Sequence, residues 1–178
     1  MNGQILNVDI TDDSGANIFF NAPKKNGKMK SFSLYKTDIF SVTKKGQAES
    51  VLYVKDEPMG NEYSVPEMRY FLHGENDARK GFRTWPTAVG GVIYGAAGTM
   101  VMGRSLIPFA LFPVTYSLGM QLPVIKIRKE TISNTDFPSQ PTYKEGYNKV
   151  ARSKKFIKSF VYTFAGVAIG TAAIELTD

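Results

Sequence analysis

The feature that most constrains this chain is the run from Thr84 to Ile125, in which Arg104 is the single charged residue. A second apolar stretch runs from Ser159 to Ile174. Both are rich in glycine. Thr87, Gly91, Gly95 and Thr99 recur every four residues, with Gly90 and Gly98 beside them, and Gly166 and Gly170 repeat the spacing. Residues four apart share a helix face, so these small side chains form stripes along which another backbone can approach closely. In water such helices are poor, because each interior glycine costs about 1 kcal/mol relative to alanine. In lipid, close packing and internally satisfied backbone hydrogen bonds outweigh that cost. The spacing therefore predicts an apolar helix from Thr87 to about Met102, packing through Thr87, Gly91, Gly95 and Thr99. A last helix is expected to pack through Gly166 and Gly170. A buried helical hairpin in a water-soluble core is the competing reading. Trp85 at one edge of the apolar region and the basic collar of Lys154, Lys155 and Lys158 at the other favour a bilayer.

The segment from Ser105 to Pro123 is long enough to cross a bilayer, but it contains Pro108, Pro113 and Gly119. Proline removes a backbone donor and clashes with the preceding turn, so a kinked span or re-entrant hairpin is expected there. Val124 to Arg128 reads as a short strand or an exit at the interface, and Asn134 to Pro141 as a loop. A long helix follows from Thr142, with a basic first part and an apolar second part.

Ahead of these segments the pattern changes from helical to alternating. Leu6, Val8 and Ile10 alternate with polar residues, and Asp12, Asp13, Ser14 and Gly15 form a turn before Ile18, Phe19 and Phe20. Asn26-Gly27, within the cluster of Lys24, Lys25, Lys28 and Lys30, has the signature of a type I′ hairpin turn. Phe32 and Leu34, Ile39 to Val42, and Val51 to Val54 complete five short strands, the pattern of a small SH3-like or Sm-like barrel. Ser64 and Glu67 form a capping-box pair at the start of a helix that carries Met68, Phe71 and Leu72 on one face and is weakened at Gly74. The fold expected is an α+β membrane protein with a small β-barrel head and glycine-rich apolar helices. Its parts are the head (1–57), a linker helix (58–83), an apolar hairpin (84–125), a loop (126–141) and a long helix (142–176).

Charge is uneven along the chain. The net charge is +6, and residues 1–83 hold twelve Lys or Arg against eleven Asp or Glu, whereas 84–178 hold ten against five. From Lys144 to Lys158 there are six basic residues and one acidic one. Directly before an apolar helix, such a stretch suits anionic phospholipid headgroups, at about 1 kcal/mol per basic residue. Lys149, Arg152, Lys154, Lys155 and Lys158 are the headgroup candidates, with a merely solvated helix face as the alternative. Nucleic acid is disfavoured, since no stacking platform accompanies the basic run.

Little in the sequence points to chemistry. There is no cysteine, and His73 is the only histidine, which disfavours metal and Ser-His-Asp sites. Glu75 and Asp77, two apart on a helix, do not face one another as a carboxylate pair would. Gly90 to Gly98 lacks the lysine and Ser/Thr of a phosphate loop. No enzymatic activity, metal or cofactor is expected.

Three stretches carry a family resemblance: Gly60 to Arg69, Gly74-Glu75-Asn76-Asp77-Ala78-Arg79, and Tyr143 to Lys155. Through them the chain, over most of residues 30–174, resembles a group of poorly characterised envelope proteins of Bacteroidota. The resemblance implies a signal peptide, a small β domain, the Gly-Glu-Asn-Asp-Ala-Arg helix and glycine-rich apolar segments, in that order, and it implies no activity. Here no signal segment is read at Met1, so two locations stay open: an inner-membrane protein with a cytoplasmic head, or, with an upstream signal peptide, a periplasmic head and an outer-membrane site. A hairpin followed by one crossing would put the head and residues 144–158 on one side, and Glu175 and Asp178 on the other. The function expected is a structural or accessory subunit of an envelope membrane complex, partnered by other membrane subunits or by copies of itself, with phospholipid around it. The alternative is a peripheral module that binds lipid headgroups or RNA through the head and the basic helix.

Overall fold

The computed structural model describes residues 1–24, 26–103 and 105–177, Thr177 by its backbone alone. Lys25, Arg104 and Asp178 of the sequence reading lie outside the described residues. The protein is α+β. Strands β1 (Asp9–Asp12), β2 (Asn17–Pro23) and β3 (Met29–Tyr35) form an antiparallel sheet in the order β1-β2-β3, and β4 (Ser41–Val42) pairs with β5 (Ser50–Val51). Helices α1 (Val65–Gly81), α2 (Trp85–Met102), α3 (Ile107–Gly119) and α4 (Pro141–Thr177) follow.

Five strands form, the first shifted to Asp9–Asp12 so that Leu6 and Val8 fall outside it, but among the described residues they make two separate sheets and not one closed barrel. The reason lies in β3. Every residue of β3 is exposed, so the strand has no inward face to close upon, and a 3-10 turn at Lys36–Asp38 turns the chain away before β4. Only β2 alternates, burying Ile18 and Phe20, and Phe20 stacks on Phe32 across the Phe20–Phe32 register pair at 5.9 Å. The hairpin turn also differs from expectation. Pro23 pairs with Met29, so the hairpin closes well outside Asn26-Gly27, and among the described residues between them only Gly27 takes a positive φ, of 75°. A two-residue type I′ turn would need one at Asn26 as well.

The capping box forms as read. The Glu67 carboxylate accepts from the Ser64 backbone N–H at 2.8 Å and the Ser64 hydroxyl at 2.6 Å. The start of α1 packs on the head through Tyr53, Met68 and Phe71, and Arg69 reaches Glu49 at 2.8 Å.

The proline-containing segment forms one helix, α3, packed against α2 as a hairpin. Pro108 falls in the first turn, where its missing N–H would be unpaired anyway. Pro113 lies inside the helix. Thirteen residues reach about 20 Å at 1.5 Å per residue, short of the roughly 30 Å of a bilayer core. Residues 124–128 form no strand; Ile125 and Ile127 pack on the buried cluster of Ala78, Tyr143, Tyr147 and Ala151.

The organising element is α4. Its 37 residues run unbroken for about 55 Å, and α1 and α2 lie one after the other along it. Along α1, Phe71 meets Gly146 and Ala78 meets Lys154; along α2, Gly91 meets Thr163 and Ala96 meets Gly170. Residue numbers rise together in both pairings, so both helices run parallel to α4. In effect α1 and α2 are one rod, broken at residues 82–84 beside the continuous α4.

Candidate functional site

Two features meet along α4: a seam of small residues, and a basic cleft where the α1–α2 rod breaks.

In the seam, α2 buries Ala88, Gly91, Gly95 and Thr99, while α4 buries Ser159, Thr163, Gly166, Val167 and Gly170. Backbones touch here. A Cβ on Gly91 would sit 2.9 Å from the Thr163 hydroxyl, one on Gly170 2.8 Å from the Ala96 carbonyl, and those on Gly95 and Gly166 would run into the Thr163 and Val92 carbonyls. Thr99 returns its hydroxyl to the Gly95 carbonyl at 2.9 Å, and Thr163 to Ser159 at 2.7 Å, so both are satisfied within their own helices. Thr87 stands at the top of the seam, half-buried, and its carbonyl accepts from the Tyr116 hydroxyl of α3 at 3.1 Å. Gly98 faces the Phe112 ring and Gly90 the Tyr116 hydroxyl, which seats α3.

The sequence reading missed a second glycine contact. Gly74, read as a weak point of α1, lies against the Tyr143 carbonyl, and Gly146 lies against the carbonyl of Phe71. The signal was present in Tyr143, Gly146, Tyr147 and Ala151, a helical face at offsets of three, four and eight.

The basic collar divides by role. The Lys149 ammonium lies 2.9 Å from Glu75, whose side chain is buried and whose Oε2 has no hydrogen-bond partner. Lys154 donates to the carbonyls of Ala78 at 3.1 Å and Arg79 at 2.6 Å. It thereby neutralises the C-terminal end of α1, where the helix dipole is negative, sharing the Ala78 carbonyl with the Phe82 N–H. Burial, and next the Arg79 charge, lowers its pKa. Lys158 lies over the Tyr162 ring at 5.4 Å, and Arg152 is exposed. Lys155 differs from all of these. Its relative exposure is 9%, it makes no hydrogen bond or ion pair among the described residues, and burial, followed by the Arg152 charge, lowers its pKa. It lines a cleft of about 220 Å³ with Arg83, Lys126 and Arg128.

Lys149→Met tests this division. The change leaves the buried Glu75 carboxylate without its cation; because Lys149 is itself 60% exposed and screened by water, the expected loss is about 1–3 kcal/mol. The expected result is a marked fall in the thermal unfolding midpoint, largely restored in Glu75→Leu/Lys149→Met. A lysine that served headgroups alone would give no such fall.

Beside Glu75, Asp77 is 4% exposed and engaged through one oxygen: its Oδ2 accepts from the Ser133 N–H (2.9 Å), the Ser133 hydroxyl (3.0 Å) and the Tyr143 hydroxyl (2.8 Å). Burial and this carboxylate raise the Tyr143 pKa. Asp77 thus ties the 126–140 loop to α1 and α4. His73, half-buried, lies against the Phe137 ring at 4.9 Å in a tilted arrangement, and burial lowers its pKa. Among the described residues no group of three or more His, Cys, Asp or Glu could hold a metal. One helix there, α4, is long and apolar enough to cross a membrane. No family model, curated protein or solved structure matches the chain.

Proposed function

We propose that this chain is a membrane-embedded structural or accessory subunit of a bacterial envelope complex. In this reading α2, α3 and the second half of α4 lie in the bilayer and the β-rich head lies outside it. The observation that carries the reading is an inverted distribution of side chains in the helical bundle. Glycine, serine and threonine fill its interior, while Val101 (87% exposed), Leu106 (85%), Leu118 (59%) and Ile169 (56%) stand on its surface with Ile93, Leu111, Phe160 and Phe164. Water-soluble folds bury such residues, each worth about 1.5–3 kcal/mol, and large apolar patches on a protein surface mark contact with a membrane or a partner. Small residues in the seam and large ones outside are what a bilayer favours, because lipid leaves close van der Waals contact to hold helices together.

The hairpin of α2 and α3 and the parallel run of α2 and α4 support a topology in which the head, the loop and the first half of α4 share one side and Glu175 lies opposite. The short α3 and its apolar surface favour lateral contact with a further subunit or a second copy. Resemblance to envelope proteins of Bacteroidota adds the cell envelope as the location.

Fractionation tests the reading. The full chain is expected to stay with membranes through alkaline carbonate, to leave them only with detergent, and to migrate in detergent as an assembly larger than one chain in a micelle. Recovery as a detergent-free monomer would overturn it. A chain that responds to detergent but runs as a single copy would remove the complex and leave the membrane.

A further inference from the structure

The break between α1 and α2 separates two helix ends of opposite polarity, and the chain treats them differently. Lys154 covers the carbonyl end of α1. At the amino end of α2, the Thr84 side chain makes no capping hydrogen bond. Instead Pro86 and Thr87 of the first turn line the cleft that holds Lys155, Arg83, Lys126 and Arg128. The first N–H groups of a helix lack intrahelical partners, and its dipole is positive there, so this end and four cations converge on one cavity. No acidic side chain lines it among the described residues. Lys155 is the decisive member. Its stem is packed away, at 9% exposure, and among the described residues its ammonium has no hydrogen-bond or ion-pair partner, so it opens onto the cleft with its donors free for an anion.

We propose that this cleft is a binding site for the phosphate of an anionic phospholipid. A lipid is the source that fits the cleft's position. Val124 and Pro86 form apolar wall, Val124 at 87% exposure, and Trp85, 66% exposed, stands at the rim where the apolar helices begin. Tryptophan favours the headgroup level of a bilayer, and basic pockets between helices at that level hold anionic headgroups. The phosphate would rest among Lys155, the basic rim and the first turn of α2, with the acyl chains running down the apolar outer face of the bundle. The inference rests on the membrane reading above, and its site is narrower than a basic helix face: Lys149 and Lys154 are engaged elsewhere, whereas Arg83, Lys126 and Arg128 join.

Trp85 is the only tryptophan and reports on the site. The full chain in neutral detergent is titrated with short-chain phosphatidylglycerol, with phosphatidylcholine and with inorganic phosphate, and Trp85 emission is followed. Phosphatidylglycerol is expected to give a saturable change, while the other two give none. Lys155→Met is expected to raise the midpoint by about tenfold or more. Arg128→Gln, on the exposed rim, serves as the variant least able to disturb folding and is expected to weaken binding by about threefold. Lys158→Met, engaged with Tyr162, leaves the midpoint unchanged. An equal response to inorganic phosphate would overturn the lipid assignment, and an unchanged midpoint in both Lys155→Met and Arg128→Gln would overturn the site. Neither result touches the membrane reading, which fails only in the fractionation.

Discussion

Gly95→Leu is expected to force α2 off α4 and lower the unfolding midpoint of the full chain in detergent by on the order of 10 °C. The Gly95 position faces backbone: an added Cβ would meet the Thr163 carbonyl and lie 2.8 Å from the Val167 nitrogen. A side-chain neighbour could rotate away, but these atoms belong to the helix itself. Relief therefore requires the two axes to separate, which opens the contacts of Gly91, Gly166 and Gly170 as well. Overpacking of this kind costs about 3 kcal/mol or more, and each kcal/mol shifts the midpoint of a chain this long by about 2–4 °C. Gly119→Ala is the control. Nothing lies within 4 Å of a Cβ there, so the midpoint stays level or rises by the equivalent of up to about 1 kcal/mol. Circular dichroism melts of the three proteins in one detergent decide the matter. Equal midpoints for Gly95→Leu and the parent would show that α2 and α4 are not held by backbone contact.

Asp77→Ala is expected to release the 126–140 loop. Three donors converge on one carboxylate oxygen, and they differ in what becomes of them. Ser133 is exposed and finds water, whereas Tyr143 is 0% exposed and its hydroxyl is left without an acceptor. An unsatisfied buried donor costs about 1–3 kcal/mol, and loss of the charge-assisted bonds brings the total to about 3 kcal/mol. Asp77→Asn keeps an acceptor oxygen in place and should lose about half as much; Tyr143→Phe, which removes a donor and strands none, should lose about 1 kcal/mol. Two readouts apply: the thermal midpoint, and the rate of protease cleavage within residues 126–140. Asp77→Ala should accelerate cleavage most. A midpoint drop without faster cleavage would show that Asp77 supports the α1–α4 contact alone.

Local patterns carried the helices. Ser64 and Glu67 marked the start of α1, and the four-residue spacing of Thr87, Gly91, Gly95 and Thr99 marked the face that α2 buries. Each is a relation between residues a turn or two apart. The head was legible only as strands, because closure into a barrel depends on whether β3 and β4 pair, and alternation within one strand says nothing about its neighbour. Pro113 carried only local information: proline weakens an isolated helix, and what holds α3 in place is Phe112 against Gly98 and Tyr116 against Gly90.

By itself, then, the sequence determined the order of elements, the stripes of small residues and the charge of the segment ahead of the last helix, since composition and short-range spacing specify all three. The tertiary structure decided how one basic stretch is divided. Lys149 was committed to Glu75, Lys154 to the end of α1, and Lys155 to a cleft completed by Arg83, Lys126 and Arg128. Those partners lie between 27 and 76 residues away in the chain. Only the parallel run of a broken rod beside α4 brings them to one level, because helix ends gain or lose their unpaired charge according to what packs against them in space.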